Sequence, residues 1–471
     1  MNSTGSIIQA LNGLGYKTVK TEYYDRIEIW KQWYKGNVSK FHDYRIWNGI
    51  DYVPLTKASA GMGKKTAEDW ADLLMSEKVS ITLEGKQEQE FWDRVCENNN
   101  FLVMANRYEE LAFALGTAAI VVRVSGLTID GTGKVEEAAK HLKFDYVTAE
   151  HVFPLTWASG TVTECAFAVD LTSGGKPYTY LQIHKLTPEG YDIENKLYLT
   201  EKAFEPVELD SIKELENVPE VFHTRQQRPL FVLTTPNIAN NIYTDCPLGL
   251  SVYANAIDQL KAVDNAFDAF NSEVVLGRKR IAIKPEMLKG VKGEQVFDTN
   301  DAVFYFLPED STPGTMLQDL STSIRINEIY QALQLALNAL SLKCGLGSNH
   351  WKFDAGNITT ATQVISANSD LFRTLKKHEL VLEKVLLDLV KATLRLGNEF
   401  MNAGLDEDVE ISVDFDDSII EDAGTEFARD QAMLAAGIIN RYEFRMKWLN
   451  EDEATAQQAL PTLEALTEES E

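Results

Sequence analysis

Apolar residues recur at helical spacing along much of this chain, and they alternate like strands in its middle. Ile27, Trp30 and Tyr34 share one face of a helix predicted over residues 21–35, with Asp25, Arg26, Lys31 and Lys35 around it. Trp33, Tyr44 and Trp47 add aromatic mass that is expected to pack into the local core. Further helices are predicted over Ala67–Ser76 and Glu88–Asn98, with a strand over Val79–Leu83 between them. Tyr108–Ala119 reads as a helix passing into a strand. From there to about Pro236 the pattern is β: Ile120–Val124 is apolar and β-branched, and Asp130-Gly-Thr-Gly133 is a hairpin turn. Thr161–Leu171, Tyr178–Leu186 and Tyr191–Leu199 form a predicted meander, with turns at Ser173-Gly-Gly-Lys176 and Thr187-Pro-Glu-Gly190.

After a connector near Asp245-Cys-Pro-Leu-Gly249, two helical segments bracket an insertion. In the first, Gly249–Leu276, the apolar positions are Val252, Ala256, Leu260, Val263, Phe267, Phe270 and Val274. In the second, Ser323–Lys343, they are Ile326, Ile329, Leu333, Leu337 and Leu340. Between them, Gly277–Lys284 and Ala302–Leu307 look like strands. A polar loop follows at Gly345–Asn357, then a plausible capping box at Thr360-Ala-Thr-Gln363. A long helix is predicted from there to about Leu396, with Leu371, Leu375, Leu382, Val385, Leu386 and Leu389 facing one way. Val409–Phe415 alternates as a strand, and Phe427–Ile439, Arg441–Leu449 and Asp452–Leu460 complete the helical pattern.

At 471 residues, 44% hydrophobic, the chain exceeds one simple core, so two to four structural units are expected. Its net charge of −26 excludes wrapping DNA or an anionic membrane with its general surface. Against that background, residues 276–293 carry six basic groups (Arg278, Lys279, Arg280, Lys284, Lys289, Lys292) and one acid, Glu286. This stretch reads either as a solvated hairpin with a protective positive edge or as a local contact for nucleic acid or an acidic partner. Residues 402–471 hold 19 acidic and 4 basic residues. The start of the chain does not read as a signal peptide, and Leu111–Val122 is too short to span a bilayer, so no membrane association is expected.

No catalytic constellation stands out. Ala60-Gly-Met-Gly-Lys-Lys-Thr66 fails the phosphate-loop pattern, because Ala58 stands five before Gly63 and Lys65 follows Lys64. Cys96, Cys165, Cys246 and Cys344 form no CxxC pair, and the seven histidines no His-Glu-x-x-His, so neither a metal nor any other cofactor is expected. His378 reads as a helix-face residue rather than a ligand. Asp414, Asp416 and Asp417 could in principle hold a divalent metal for a nuclease or phosphotransferase. Asp414 and Asp416 would share one face of a strand, and no third ligand group is evident.

The order of these pieces resembles a tailed-bacteriophage portal protein, closest to those of long-tailed phages or prophages of Gram-positive bacteria. The resemblance is carried by Tyr24–Gly36, by Pro247-Leu-Gly-Leu-Ser251 leading into Ala256-Ile-Asp-Gln-Leu-Lys-Ala262, by Thr360–Asp370, and by Asp430–Arg445. It implies an α+β subunit with a mixed wing (1–248 and 359–424), stem helices (249–276 and 322–344), a small α/β clip (277–321), a tunnel loop (345–358) and a helical crown (425–471). It also implies a non-enzymatic dodecameric ring at one capsid vertex of the virion, assembled in the host cytoplasm. Its partners would be the terminase large subunit, the head–tail connector, capsid and scaffolding proteins, and double-stranded DNA passing without sequence preference. By this analogy Asn349, His350, Trp351 and Lys352 would approach DNA, Asp258, Asp264 and Asp268 would line the tunnel, and Arg278, Lys279 and Arg280 would dock a partner. The alternatives are the metal-dependent enzyme above and another minor virion structural protein.

Overall fold

The computed structural model describes residues 3–47, 49–75, 79–126, 128–129, 135–137, 140–201, 204–277, 280–283, 303–306, 317–319, 323–352, 361–415, 423–449, 451 and 453–459. The N-terminal region is helical, with α1 (Ser3–Gly13), α2 (Thr21–Tyr34) and the single turn α3 (Ser39–His42). A hairpin of β1 (Asp43–Trp47) and β2 (Tyr52–Thr56) precedes α4 (Met62–Leu74), β3 (Ser80–Leu83), α5 (Lys86–Asn99) and α6 (Phe101–Leu115). Helix α2 forms where predicted because Tyr23, Tyr24, Ile27, Trp30 and Trp33 recur at helical spacing, and all five are buried. Helix α1 and the β1–β2 hairpin were not anticipated. Trp47 lies on that hairpin and is 54% exposed, so the expectation that it packs into the core is wrong, whereas Trp33 is buried. Every residue of the two strands except Tyr44 is exposed, so neither face of the hairpin is buried among the described residues.

Strands β4 (Ala118–Ser125) and β7 (His141–Thr148) flank the short ladder of β5 (Thr128–Ile129) and β6 (Val135–Glu137). Then come β8 (Val152–Ala158), β9 (Thr161–Ser173), β10 (Lys176–Thr187), β11 (Gly190–Leu199), β12 (Glu205–Val207), β13 (Val221–His223) and β14 (Phe231–Thr234). The meander is realised as an antiparallel sheet in the order β12-β11-β10-β9-β8, with β13 also pairing β11. A separate sheet, β14-β4-β7, lies at the centre of the core. Residues 118–122 are all buried there because helices pack against β4, which explains their unbroken apolar run.

The bracket follows as α7 (Ile257–Leu276), then β15 (Arg280–Ile283), β16 (Val303–Phe306) and β17 (Leu317–Asp319), then α8 (Ile326–Lys343). The three strands form one sheet, with β15 parallel to β16 and antiparallel to β17. Both helices start later than their apolar pattern suggested. Ser251, Val252, Tyr253 and Ala256 are buried in tight turns ahead of α7, and Tyr253 Oη donates to Trp30 O at 3.0 Å. Helix α9 (Ala361–Met401) runs past the predicted end, and β18 (Ile411–Asp414) pairs antiparallel with β3. The chain closes with α10 (Ala423–Ala435), α11 (Arg441–Leu449) and α12 (Glu453–Gln458). Phe427, Phe444 and Trp448 pack together between α10 and α11, and Lys447 Nζ donates to the buried Asp430 at 2.7 Å.

Candidate functional site

The bracket helices pack side by side, and their burial is graded along their length. Leu260 and Val263 of α7 and Leu337 and Leu340 of α8 are buried at the end nearest the core. At the end nearest the three-stranded sheet, Phe270, Val274 and Val275 of α7 and Ile326 and Tyr330 of α8 are exposed, as is Ile324 just before α8. Arg325 grips Glu273 across this outer end through two guanidinium hydrogen bonds of 3.0 Å each. The helix pair therefore stands out from the body, rooted at one end only.

Each root is pinned by a carboxylate. On α7, Asp264 is 3% exposed and accepts from Ala60 N at 2.8 Å, Ser59 Oγ at 3.1 Å and His42 Nε2 at 2.9 Å. His42 Nδ1 accepts from Val38 N at 2.8 Å, which leaves the ring proton on Nε2, aimed at Asp264. One turn on, Asp268 accepts from Ala58 N at 2.9 Å, and Asn265 Oδ1 accepts from Lys57 Nζ at 2.9 Å. Both ends of the β1–β2 hairpin are thus fastened to α7.

On the other root, α8 ends at Cys344, whose carbonyl accepts from Trp70 Nε1 at 3.0 Å. Gly345 follows at φ +82°, and Leu346 N donates back to Ser341 O at 3.0 Å, the bond pattern of a left-handed helix stop. The loop then turns onto α4. Asp69 accepts from Trp351 Nε1 at 2.8 Å, His350 Nε2 at 3.1 Å and Lys65 Nζ at 2.5 Å. Burial alone would raise the Asp69 pKa, but these three hydrogen bonds outweigh it and hold the carboxyl below its ordinary value. Gln334 of α8 adds a bond to Trp351 O at 2.8 Å.

A third constraint lies just ahead of α7. Gly249 crosses Gly116 so closely that a Cβ on either would overlap the other's backbone. Gly249 N donates to Thr117 Oγ1 at 3.0 Å, and Val252 N to Phe113 O at 2.9 Å. The segment Pro247–Ser251, singled out in the sequence, is where the chain leaves the core for α7.

The expected site residues separate clearly. Of the three proposed wall acids, Asp258 alone is fully exposed, and Lys261 Nζ lies 3.0 Å from it. Asp264 is a correction: it is a buried anchor with three donors and cannot line a channel. Asp268 is half-buried and spends its carboxylate on a backbone amide. In the loop, His350 and Trp351 are tied to Asp69, and Asn349, His350 and Lys352 are all exposed. Arg278 and Lys279 lie outside the described residues, and Arg280 opens β15.

Lys64 and Lys65, within the failed phosphate-loop motif, are paired with Glu68, Glu110 and Asp69. His378 is buried between Trp70 and Phe113 and accepts from Asn237 N at 2.9 Å. Asp414 is exposed, and Asp416 and Asp417 lie outside the described residues. Among the described residues, no three His, Cys, Asp or Glu side chains converge on a metal-sized site, and no helix is long and apolar enough to cross a membrane.

What the fold and its anchors define is an architectural subunit, a body from which a braced helix pair carries a small sheet. The family model "Phage portal protein, SPP1 Gp6-like" matches residues 15–469, and the chain belongs to that family of phage portal proteins. No curated protein matches the chain. Among solved structures it is similar to a chain of "Neck of native GTA particle computed with C12 symmetry", at 13% identity and a TM-score of 0.37, covering 82% of this chain and 89% of that one. So loose a likeness supports no residue-by-residue correspondence. As a member of the family, the protein is a structural component of the phage particle and forms the DNA channel of the portal. The family match lends no support to the metal-dependent enzyme.

Proposed function

We propose that this portal subunit works as a rigid spoke in a dodecameric ring, with α7 and α8 as the stem and the β15–β16–β17 sheet within the clip, residues 277–321. Residues 1–248 with 359–424 would form the wing, 345–358 the tunnel loop and 425–471 the crown. The observation that carries this reading is the double anchoring of the helix pair, by Asp264 on α7 and by Asp69 beneath the loop after α8. A stem fixed to its wing at two points can transmit load without shearing.

DNA must slide through such a channel, and each phosphate gripped by a cation would hold it back. Asp258 is the wall acid this reading retains, because its carboxylate is exposed. At the loop, Asn349 and Lys352 are the DNA-facing candidates, while His350 and Trp351 serve as the loop's tether. Arg278, Lys279 and Arg280 would present positive charge to the head–tail connector or the terminase large subunit, to which ATP hydrolysis would belong. The subunit itself is then non-enzymatic, joined to capsid and scaffolding proteins in the host cytoplasm, in a long-tailed phage or prophage of a Gram-positive host. Light scattering on the purified chain tests the assembly: a dodecamer mass supports it, and a monomer under every assembly condition refutes it.

A further inference from the structure

Away from the helix pair, a cleft of about 350 Å³ opens where the loop before β14 meets the later turns of α9 and the loop after it. Arg225, Arg228, Lys391 and Arg395 line it, with Glu407 and Asp408. In a chain of net charge −26, this cleft holds more cations than acids. Its loop is fixed in place. Tyr191 N donates to Gln226 O at 2.7 Å, Thr224 Oγ1 donates to Tyr191 O at 2.6 Å, and Gln226 N donates to Thr224 Oγ1 at 3.2 Å. Arg225 itself sits at φ +57°, a left-handed conformation that an arginine adopts only when its surroundings impose it.

The cations of this cleft are poorly served by the protein. Arg395 Nε is buried and has no hydrogen-bond partner among the described residues. Arg225 has one distant acid, Glu399 at 3.9 Å, and Glu407 is engaged by Asn398 Nδ2 at 3.0 Å. Burial, and then the neighbouring charge of Arg228, push the Arg395 pKa down, with the charges of Glu407 and Asp388 opposing them. A guanidinium nevertheless stays charged at neutral pH, so an anion is what relieves it. A buried N–H of a charged group that is left without an acceptor is unfavourable, and a bound oxyanion would satisfy it.

We propose that this cleft binds a phosphate-class oxyanion, with Arg395 and Arg228 as the gripping guanidiniums and Lys391 and Arg225 at its rim. The charge fits, because four cations against two acids leave positive charge for an anion, whether free phosphate or the singly charged diester of a DNA backbone. The geometry fits as well, since paired guanidiniums present forked donors to phosphate oxygens. The anion could be a free phosphate or a phosphate of a DNA backbone. The site stands independently of the spoke-and-ring reading.

Calorimetric titration of the full chain with inorganic phosphate, in chloride buffer at constant ionic strength, tests it. Saturable binding is expected, weakened about tenfold or more by Arg395→Gln, as loss of a charge-assisted hydrogen bond implies. Arg228→Gln, at an exposed position, should weaken binding while leaving the thermal midpoint unchanged, which keeps the test informative should Arg395→Gln fail to fold. If a DNA duplex competes with phosphate on the wild type, the site is one for backbone phosphate; if it does not, the ligand is a free phosphate. No saturable heat, or equal affinity in the wild type and both variants, overturns the proposal.

Discussion

His42 and Asp264 meet 2.9 Å apart although 222 residues separate them in sequence, and both side chains are almost wholly buried. This contact ties the turn before the β1–β2 hairpin to the root of α7, and Ser59 and Ala60 tie the segment after the hairpin to the same carboxylate. Removing the carboxylate by Asp264→Ala strands three donors at about 1–3 kcal/mol each, so a loss of at least about 3 kcal/mol is expected. Asp258→Ala, at an exposed position in the first turn of α7, should change stability by less than about 0.5 kcal/mol. Urea unfolding of the two variants side by side checks the contrast.

Asp69 ties the loop after α8 to α4, and its pKa is held below the ordinary 3.8. A carboxyl depressed by folding stabilises the protein above its unfolded value, and that contribution is lost as pH falls through the folded value. Asp69→Asn should therefore destabilise the chain by a roughly constant 1–3 kcal/mol at neutral and mildly acidic pH, the value of hydrogen bonds to a charged group. The gap to wild type should close as pH falls below 3.8. Denaturation midpoints measured across that range decide it.

Glu109 shows the opposite sign. It is buried in the middle of α6, accepts from Thr234 Oγ1 at 2.9 Å, and burial raises its pKa to about 7. The folded protein therefore loses stability as pH climbs from 4.5 through about 7, because the unfolded chain ionises first. Glu109→Gln should abolish that loss, roughly 3 kcal/mol at full extent. Thermal unfolding at pH 5 and pH 8 should show the variant gaining on wild type only at the higher pH.

Reversing Arg278, Lys279 and Arg280 to Glu should leave oligomer formation intact and weaken capture of the connector or terminase. Sedimentation reads the first property and a pull-down with the purified partner reads the second. Undiminished capture would show the basic stretch to be merely solvated.

Much of the element order was legible because long apolar periods announce themselves. The β9–β10–β11 meander, α9 and the pair α7 and α8 fall in the order that period and turn residues predict, although α7 and α8 start later and α9 ends later. Two elements were readable but overlooked. Ile7, Ile8 and Leu11 have helical spacing in α1, and Asn48-Gly49 between Trp47 and Ile50 is a hairpin signal. The burial of Asp264 had a local sign too. It stands four residues after Leu260 and three before Phe267, so an acid sits on an apolar stripe and needs a buried partner. What no local pattern could supply was the partner's identity. His42, Trp70 and Asp69 reach the helix pair across more than 200 residues, and only the folded chain brings them there.

The rigid-spoke ring is tested most directly by electron microscopy of the purified, assembled protein. The account predicts closed rings with a central hole, and their disruption by Asp264→Ala but not by Asp258→Ala. Particles that remain compact monomers or small dimers without a hole under every assembly condition would contradict it.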